Sequence, residues 1–256
     1  MRTTLVALAA VLHLFALPGA AEERWPDDYT RLLLPVTAVA VHGANGSVWT
    51  TEWTVFNDSE ARAYFVGPFP YLFLSPPVQI NEVEPAAVKR LAVEQASPGL
   101  DGAFVYVLTS QLERLSMSLR VRDVSVNAQS YGTSIPIVRA EEFRREVQLL
   151  DVPTDPAYRA MLRVYGSEPQ VVRIAAYTAA GQLIEQFDAV LNPGNESELG
   201  ELERPAYVQL DPLSDAIRAA GDHVRLEISA AETGTPIWAF VSISHNQTQQ
   251  VTAVVP

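Results

Sequence analysis

The chain has no cysteine. That removes disulfide staples, thiolate nucleophiles and thiolate metal ligands at once. Lysine is almost missing: Lys89 is the one lysine among 18 basic residues, and arginine supplies the rest. With many alanines beside it, this bias resembles that of chains encoded in GC-rich bacterial genomes. Positive charge is scarce overall, with 30 acidic residues against those 18, a net charge of −12. An acidic surface repels phosphate backbones and anionic headgroups, which disfavours nucleic acid and anionic membranes as partners. Histidine is limited to four residues, His13, His42, His223 and His245. None stands in an H-E-x-x-H or H-x-H arrangement, so a zinc or copper site would need distant carboxylates. The G-x-S-x-G, S-x-x-K, G-x-G-x-x-G and Walker patterns are all absent. No enzyme activity, catalytic residue, metal or cofactor is expected.

What is present begins with a targeting pattern. Met1 and Arg2 give a basic start, Leu5 to Leu17 is apolar apart from His13, and small residues lead to Glu22 and Glu23. These are the three regions of a secretory signal peptide, predicted over residues 1–21 with cleavage after Ala20 or Ala21. The apolar run is short for a bilayer span, and no later run is long enough, so no integral membrane segment is expected after cleavage. Removal leaves 256 − 21 = 235 residues and takes the charge from −12 to −13 by loss of Arg2. That length suits two β-sandwiches of about 100 residues each, or one large β domain. The protein is expected to be exported, to the periplasm or the extracellular space.

A strand-like stretch then occurs twice. Trp49, Thr51, Trp53 and Val55 alternate with Thr50, Glu52, Thr54 and Phe56. Tyr158, Ala160, Leu162 and Val164 alternate with Arg159, Met161, Arg163 and Tyr165. Period two is the mark of a half-buried strand. Asn57-Asp58-Ser59-Glu60 turns the chain after the first copy, and Ala61 to Val66 and Val171 to Tyr177 read as return strands. The first pair is expected to form a hairpin with Trp53 and Phe65 in its core. Asn45-Gly46 and Ala180-Gly181 suit tight turns that need positive φ. One helix is predicted between Asp211, as N-cap, and Gly221, with Leu213, Ala216, Ile217 and Ala220 on one face. It would plug an open end of the second sandwich.

These elements predict an all-β chain of two tandem immunoglobulin-like antiparallel sandwiches. Residues 22–30 form a flexible leader, 31–140 the first domain and 141–256 the second. The repeat is read from Trp49 and Tyr158, and from Val124-Ser125-Val126 and Val241-Ser242-Ile243. The second half carries an aromatic-Arg strand, a strand closing on Ala179-Ala180-Gly181 and an Asn192-Pro193-Gly194 turn. Pro236 to Ser242 follows, and then Asn246-Gln247-Thr248. In this it resembles tandem β-sandwich repeats of secreted bacterial proteins of no settled function. The resemblance covers residues 146–256 well and 31–138 loosely; the first half has Asn127-Ala128-Gln129-Ser130 where the second has its Asn-Gln-Thr turn. It implies the sandwich fold and no catalytic residues.

The remaining chemistry is sparse. Asp27-Asp28, Glu141-Glu142, Glu196 and Glu198 lie in leaders, joins or turns, where adjacent acids do not form the carboxylate pair of a glycosidase. Asn192 to Glu198 and Glu201 offer oxygen ligands for calcium, but not in the order of a known calcium loop. Asn45, Asn57, Asn195 and Asn246 fit the N-glycosylation pattern and read as turn residues. Phe69, Tyr71 and Phe73 alternate in a proline-rich segment and are the candidate ligand-binding residues. With Phe56 and Tyr165 they would either stack on a sugar or protein partner or cover the sheets and bury the join between domains. The expected role is an extracytoplasmic interaction or scaffold module with a protein or glycan partner. Carbohydrate binding through the aromatic segment is the alternative, and a metal-assisted hydrolase, without a motif behind it, is third.

Overall fold

The period-two runs become antiparallel strands in the computed structural model, which describes residues 28–66, 79–91, 93, 102–193, 204–221 and 223–256. The first half contains β1 (Tyr29–Leu34), β2 (Val41–His42), β3 (Val48–Asn57), β4 (Ala63–Val66), β5 (Gln79–Val83) and β6 (Val88–Leu91). It continues with β7 (Ala103–Leu108), a helical turn α1 (Thr109–Leu112), β8 (Leu115–Asp123), β9 (Thr133–Ile135) and β10 (Val138–Arg139). A 3-10 turn at Ala140–Glu142 leads to the second half. There β11 (Glu146–Pro153), β12 (Tyr158–Gly166), β13 (Gln170–Thr178), β14 (Leu183–Leu191) and β15 (Ala206–Leu210) precede the helix α2 (Asp215–Arg218). The last strands are β16 (His223–Ala230), β17 (Ile237–His245) and β18 (Val251–Val254).

Four sheets result. One runs β10-β1-β7-β4-β5, and facing it β2 and β6 share one edge of β3, followed by β8 and β9. The second half builds β11-β16-β13-β14 and β15-β12-β17-β18. With β2 and β10 set aside and the other strands numbered 1 to 8 within each half, both halves read 1-6-3-4 and 5-2-7-8. The two halves therefore share one strand order. In a constant-type immunoglobulin domain the first strand pairs the second; here it pairs the sixth. Each half closes over its own apolar core, one around Trp53, Phe65 and Phe104, the other around Leu162, Ile174 and Leu226.

Strand pairing corrects several readings. β3 and β4 do not form a hairpin. They lie in opposite sheets and face each other across the core, where Trp53 and Phe65 meet edge to face with centroids 4.8 Å apart. The corner is held by buried Asn57, whose Nδ2 donates to the carbonyl oxygens of Ala61 (2.8 Å) and Val83 (3.0 Å) while Oδ1 accepts from Ser59 N–H (3.0 Å). β12 and β13 cross between sheets in the same way. Alternation is identical in a hairpin and in such an arch, so the pattern alone does not choose between them. The segment from Ile135 to Val138 divides at Pro136 between two sheets, because proline has no ladder donor.

The register also moves one repeat landmark. Trp49 pairs Asp123 and Tyr158 pairs His245, so Val121, opposite Thr51, corresponds to Ile243, opposite Ala160. The offset is 158 − 49 = 109 at one strand and 243 − 121 = 122 at the other. Val124 to Val126 lies beyond the end of β8. The helix starts later than predicted: Ser214, not Asp211, is its N-cap and accepts from Ile217 N–H at 3.3 Å. Of the face expected, Leu213 and Ile217 are buried in the second core and Ala220 packs partly buried against it, but Ala216 is exposed, and the helix is too short to include Leu213 or Ala220. The expected positive-φ turns are present at Asn45, Gly46 and Gly181.

Candidate functional site

The second signature strand turns its Arg159–Tyr165 face away from its own core and toward the first half. Tyr165 pairs Trp238 and Arg163 pairs Phe240 across β12 and β17. The rings form a continuous layer: Tyr165 lies parallel to Phe240 at 6.4 Å, and Phe240 stacks on Trp238 at 5.4 Å. All three are buried and belong to the core of the first half. The Tyr165 hydroxyl donates to the Pro35 carbonyl oxygen at 2.5 Å. Thus the face of one sheet caps the open end of the neighbouring sandwich. The connector from Pro35 to Ala38 is buried in this join, fixed where Ala38 N–H donates to Thr51 Oγ1 (2.9 Å) and Thr51 N–H to the Ala38 carbonyl (2.7 Å).

Beside the ring layer the two halves leave a cleft of about 310 Å³. Val36, Ala38, Val41, Trp49, Val121 and Ile135 form its apolar wall from the first half. Arg159, Met161, Arg163, Phe240, Ser242 and Ser244 form the opposite wall, with Gln209 and Asp211 at the side. The Trp49 ring is seated on Gly43, where a Cβ would stand 2.4 Å from Nε1. Arg163 is only 7% exposed and donates from Nε to Gln209 Oε1 at 3.0 Å. Arg159 is half-buried, and its guanidinium has no hydrogen-bond or ion-pair partner among the described residues.

A second depression of about 640 Å³ is lined by Asp155, Tyr158, His223, His245 and Gln250. His245 is a turn residue here: its Nδ1 accepts from the N–H groups of Gln247 (3.3 Å) and Thr248 (3.2 Å) and orders the β17–β18 turn. His223 is exposed, 4.0 Å from exposed Asp151. His42 lines the cleft from an exposed position. Among the described residues no group of three or more His, Asp or Glu is placed to hold a metal ion, and no helix is long and apolar enough to cross a membrane.

Phe69, Tyr71 and Phe73 lie outside the described residues, as do the predicted signal peptide, Asp27, Asn195, Glu196, Glu198 and Glu201. Of the two other aromatics named with them, Phe56 is partly buried on β3 and Tyr165 is fully buried at the join. The sequence placed Arg159 and Arg163 on the outward face of their strand but did not single them out. The available signal was two arginines alternating with Met and Tyr in an otherwise acidic chain.

Asp123 was also missed, and it is the most elaborately held carboxylate among the described residues. It is 1% exposed. Oδ1 accepts from Val48 N–H (3.0 Å), Ser125 N–H (2.9 Å) and Ser125 Oγ (2.8 Å), and Oδ2 from Asn127 N–H (2.9 Å). Burial pushes its pKa up, but these donors together outweigh it and hold the carboxyl below its usual value. Asp123 and His245 occupy matching places in the repeat and do the same work, accepting backbone N–H groups from the turn that follows.

No protein-family model matches the chain, and no curated protein matches it as a relative.

Proposed function

We propose that the protein is an exported, non-catalytic interaction or scaffold module, built of two β-sandwich domains of the repeat type found in secreted bacterial proteins. The observation that supports this best is the burial of Tyr165, Trp238 and Phe240 in the core of the other half. Relative domain motion is the ordinary expectation for tandem domains with a small polar join. A join made of stacked rings instead holds both sandwiches in one orientation, so their outer surfaces meet a partner as one body. That is useful outside the cell in a chain with no disulfides to stiffen it.

The test is cell fractionation with N-terminal sequencing, followed by screening of the purified mature chain. The expected result is a chain lacking residues 1–21 in the extracytoplasmic fraction and no turnover on hydrolase substrate panels. Full-length protein in the cytoplasm overturns export, and turnover overturns the non-catalytic reading. Glycan-array binding abolished by alanine at Phe69, Tyr71 and Phe73 replaces it with carbohydrate binding.

A further inference from the structure

We propose that the cleft between the two halves is a binding site for a small amphipathic carboxylate, its charged end held by Arg159 and its apolar end against the edge of the first core. This is independent of the scaffold reading, since a fixed join and a ligand in its cleft are separate properties.

The two walls differ in the way such a ligand requires. On one side Val36, Ala38, Trp49, Val121 and Ile135 present mainly apolar surface, with exposed His42 at its margin. On the other, Arg159 brings a guanidinium that has no partner among the described residues. A cation withdrawn from water without a counter-charge is costly, and that cost is relieved when an anion arrives. The guanidinium fork matches a carboxylate with two parallel hydrogen bonds. Its cross-strand neighbour Ser244 adds a hydroxyl on the same wall. Nearby Arg163 is held by Gln209, so its charge is fixed before any ligand binds.

Charge and size narrow the class further. Arg159, Arg163 and Asp211 sum to +1, in a chain whose net charge is −12. A single negative charge is matched there, whereas a phosphate dianion would meet the Asp211 carboxylate more strongly. The volume of about 310 Å³ is at the low end of the range for small-molecule sites, about 300–1,000 Å³. A short acyl chain or a compact aromatic acid fits that description, and a polymer does not.

Octanoate is the probe, titrated calorimetrically into the full mature chain, with acetate, 1-octanol and inorganic phosphate as comparisons. The Trp49 indole N–H resonance, followed by NMR, reports the location. Octanoate is expected to bind saturably at one site and shift Trp49, with acetate, octanol and phosphate about tenfold weaker or more. Arg159→Gln should weaken octanoate by about tenfold or more, and Asp211→Asn should strengthen it. The comparison of four probes on the unaltered chain does not depend on either variant folding. Absence of saturable octanoate binding overturns the proposal. So does binding that leaves Trp49 unmoved, octanol or phosphate matching octanoate, or a folded Arg159→Gln with unchanged affinity.

Discussion

The Tyr165 hydroxyl reaches the Pro35 carbonyl oxygen across 2.5 Å, linking β12 of the second half to the connector that follows β1 of the first. Tyr165 has no exposed surface, so no water stands ready to replace either group. This bond and the ring layer around it carry side chains of the second half into the core of the first. Tyr165→Phe leaves the Pro35 carbonyl unpaired and should cost about 1–3 kcal/mol. Tyr165→Ala adds a large cavity and should cost about 3–5 kcal/mol. Urea denaturation measures both, and the alanine variant should separate one unfolding transition into two. An unchanged midpoint for both would show that the join contributes nothing to stability.

Asp123 makes stability depend on acid pH. Its carboxyl is held below the usual value of 3.8 in the folded chain. In this case the unfolded state takes up the proton first as pH falls. The stabilisation is therefore complete above about pH 4–5 and is lost as pH drops toward the folded value. Asp123→Asn should flatten that acid limb, and Asp123→Ala, which strands several buried N–H groups, should cost about 3 kcal/mol at neutral pH. Thermal unfolding between pH 2 and 7 checks both; an acid limb identical in the Asn variant would assign the dependence to other carboxylates.

Trp53 and Phe65 test the arch between sheets. Their edge-to-face contact should appear as a coupling of about 0.5–1.5 kcal/mol in a double-mutant cycle of Trp53→Phe and Phe65→Leu. Trp53 Nε1 is buried without a hydrogen-bond partner among the described residues, so Trp53→Phe also removes an unpaired donor. It should cost less than the lost ring volume implies. Additive effects would place the two rings out of contact.

Gly102 and Gly221 both have positive φ, +79° and +81°. At Gly221 a Cβ meets nothing within 4 Å, whereas at Gly102 it would stand 2.8 Å from the Leu34 carbonyl oxygen and 3.3 Å from the Tyr165 ring. Gly221→Ala should therefore cost only the left-handed backbone penalty, about 1–2 kcal/mol. Gly102→Ala should cost that plus the displacement of β1 and the join. Equal losses of stability in the two variants would contradict the close approach at Gly102.

Much of the local structure was legible because it depends on near neighbours in the chain. The alternation in Trp49–Phe56 and Tyr158–Tyr165, the positive-φ turns at Asn45-Gly46 and Gly181, and the burial of Leu213 and Ile217 at the short helix are all local matters. Each follows from side-chain period, glycine geometry or helix spacing. The antiparallel all-β class follows from these together. The repeat was also visible at β3 and β12, though shifted out of register at β8 and β17, because short apolar triplets recur by chance while strand pairing does not.

What only the tertiary structure decided is which surface each strand meets. An alternating strand has two faces, and nothing in its period says whether the second face meets water or another sandwich. For β3 that face carries Glu52, which meets Arg90 and Arg122 at 3.3 and 3.0 Å on a partly exposed sheet. On β12 the same face carries Tyr165 into the neighbouring core and leaves Arg159 beside an apolar cleft. Hydrogen-bond partners far apart in sequence select the sheet, and burial against the other half selects the face. Neither can be read from a strand by itself, because both are properties of what the rest of the chain brings alongside it.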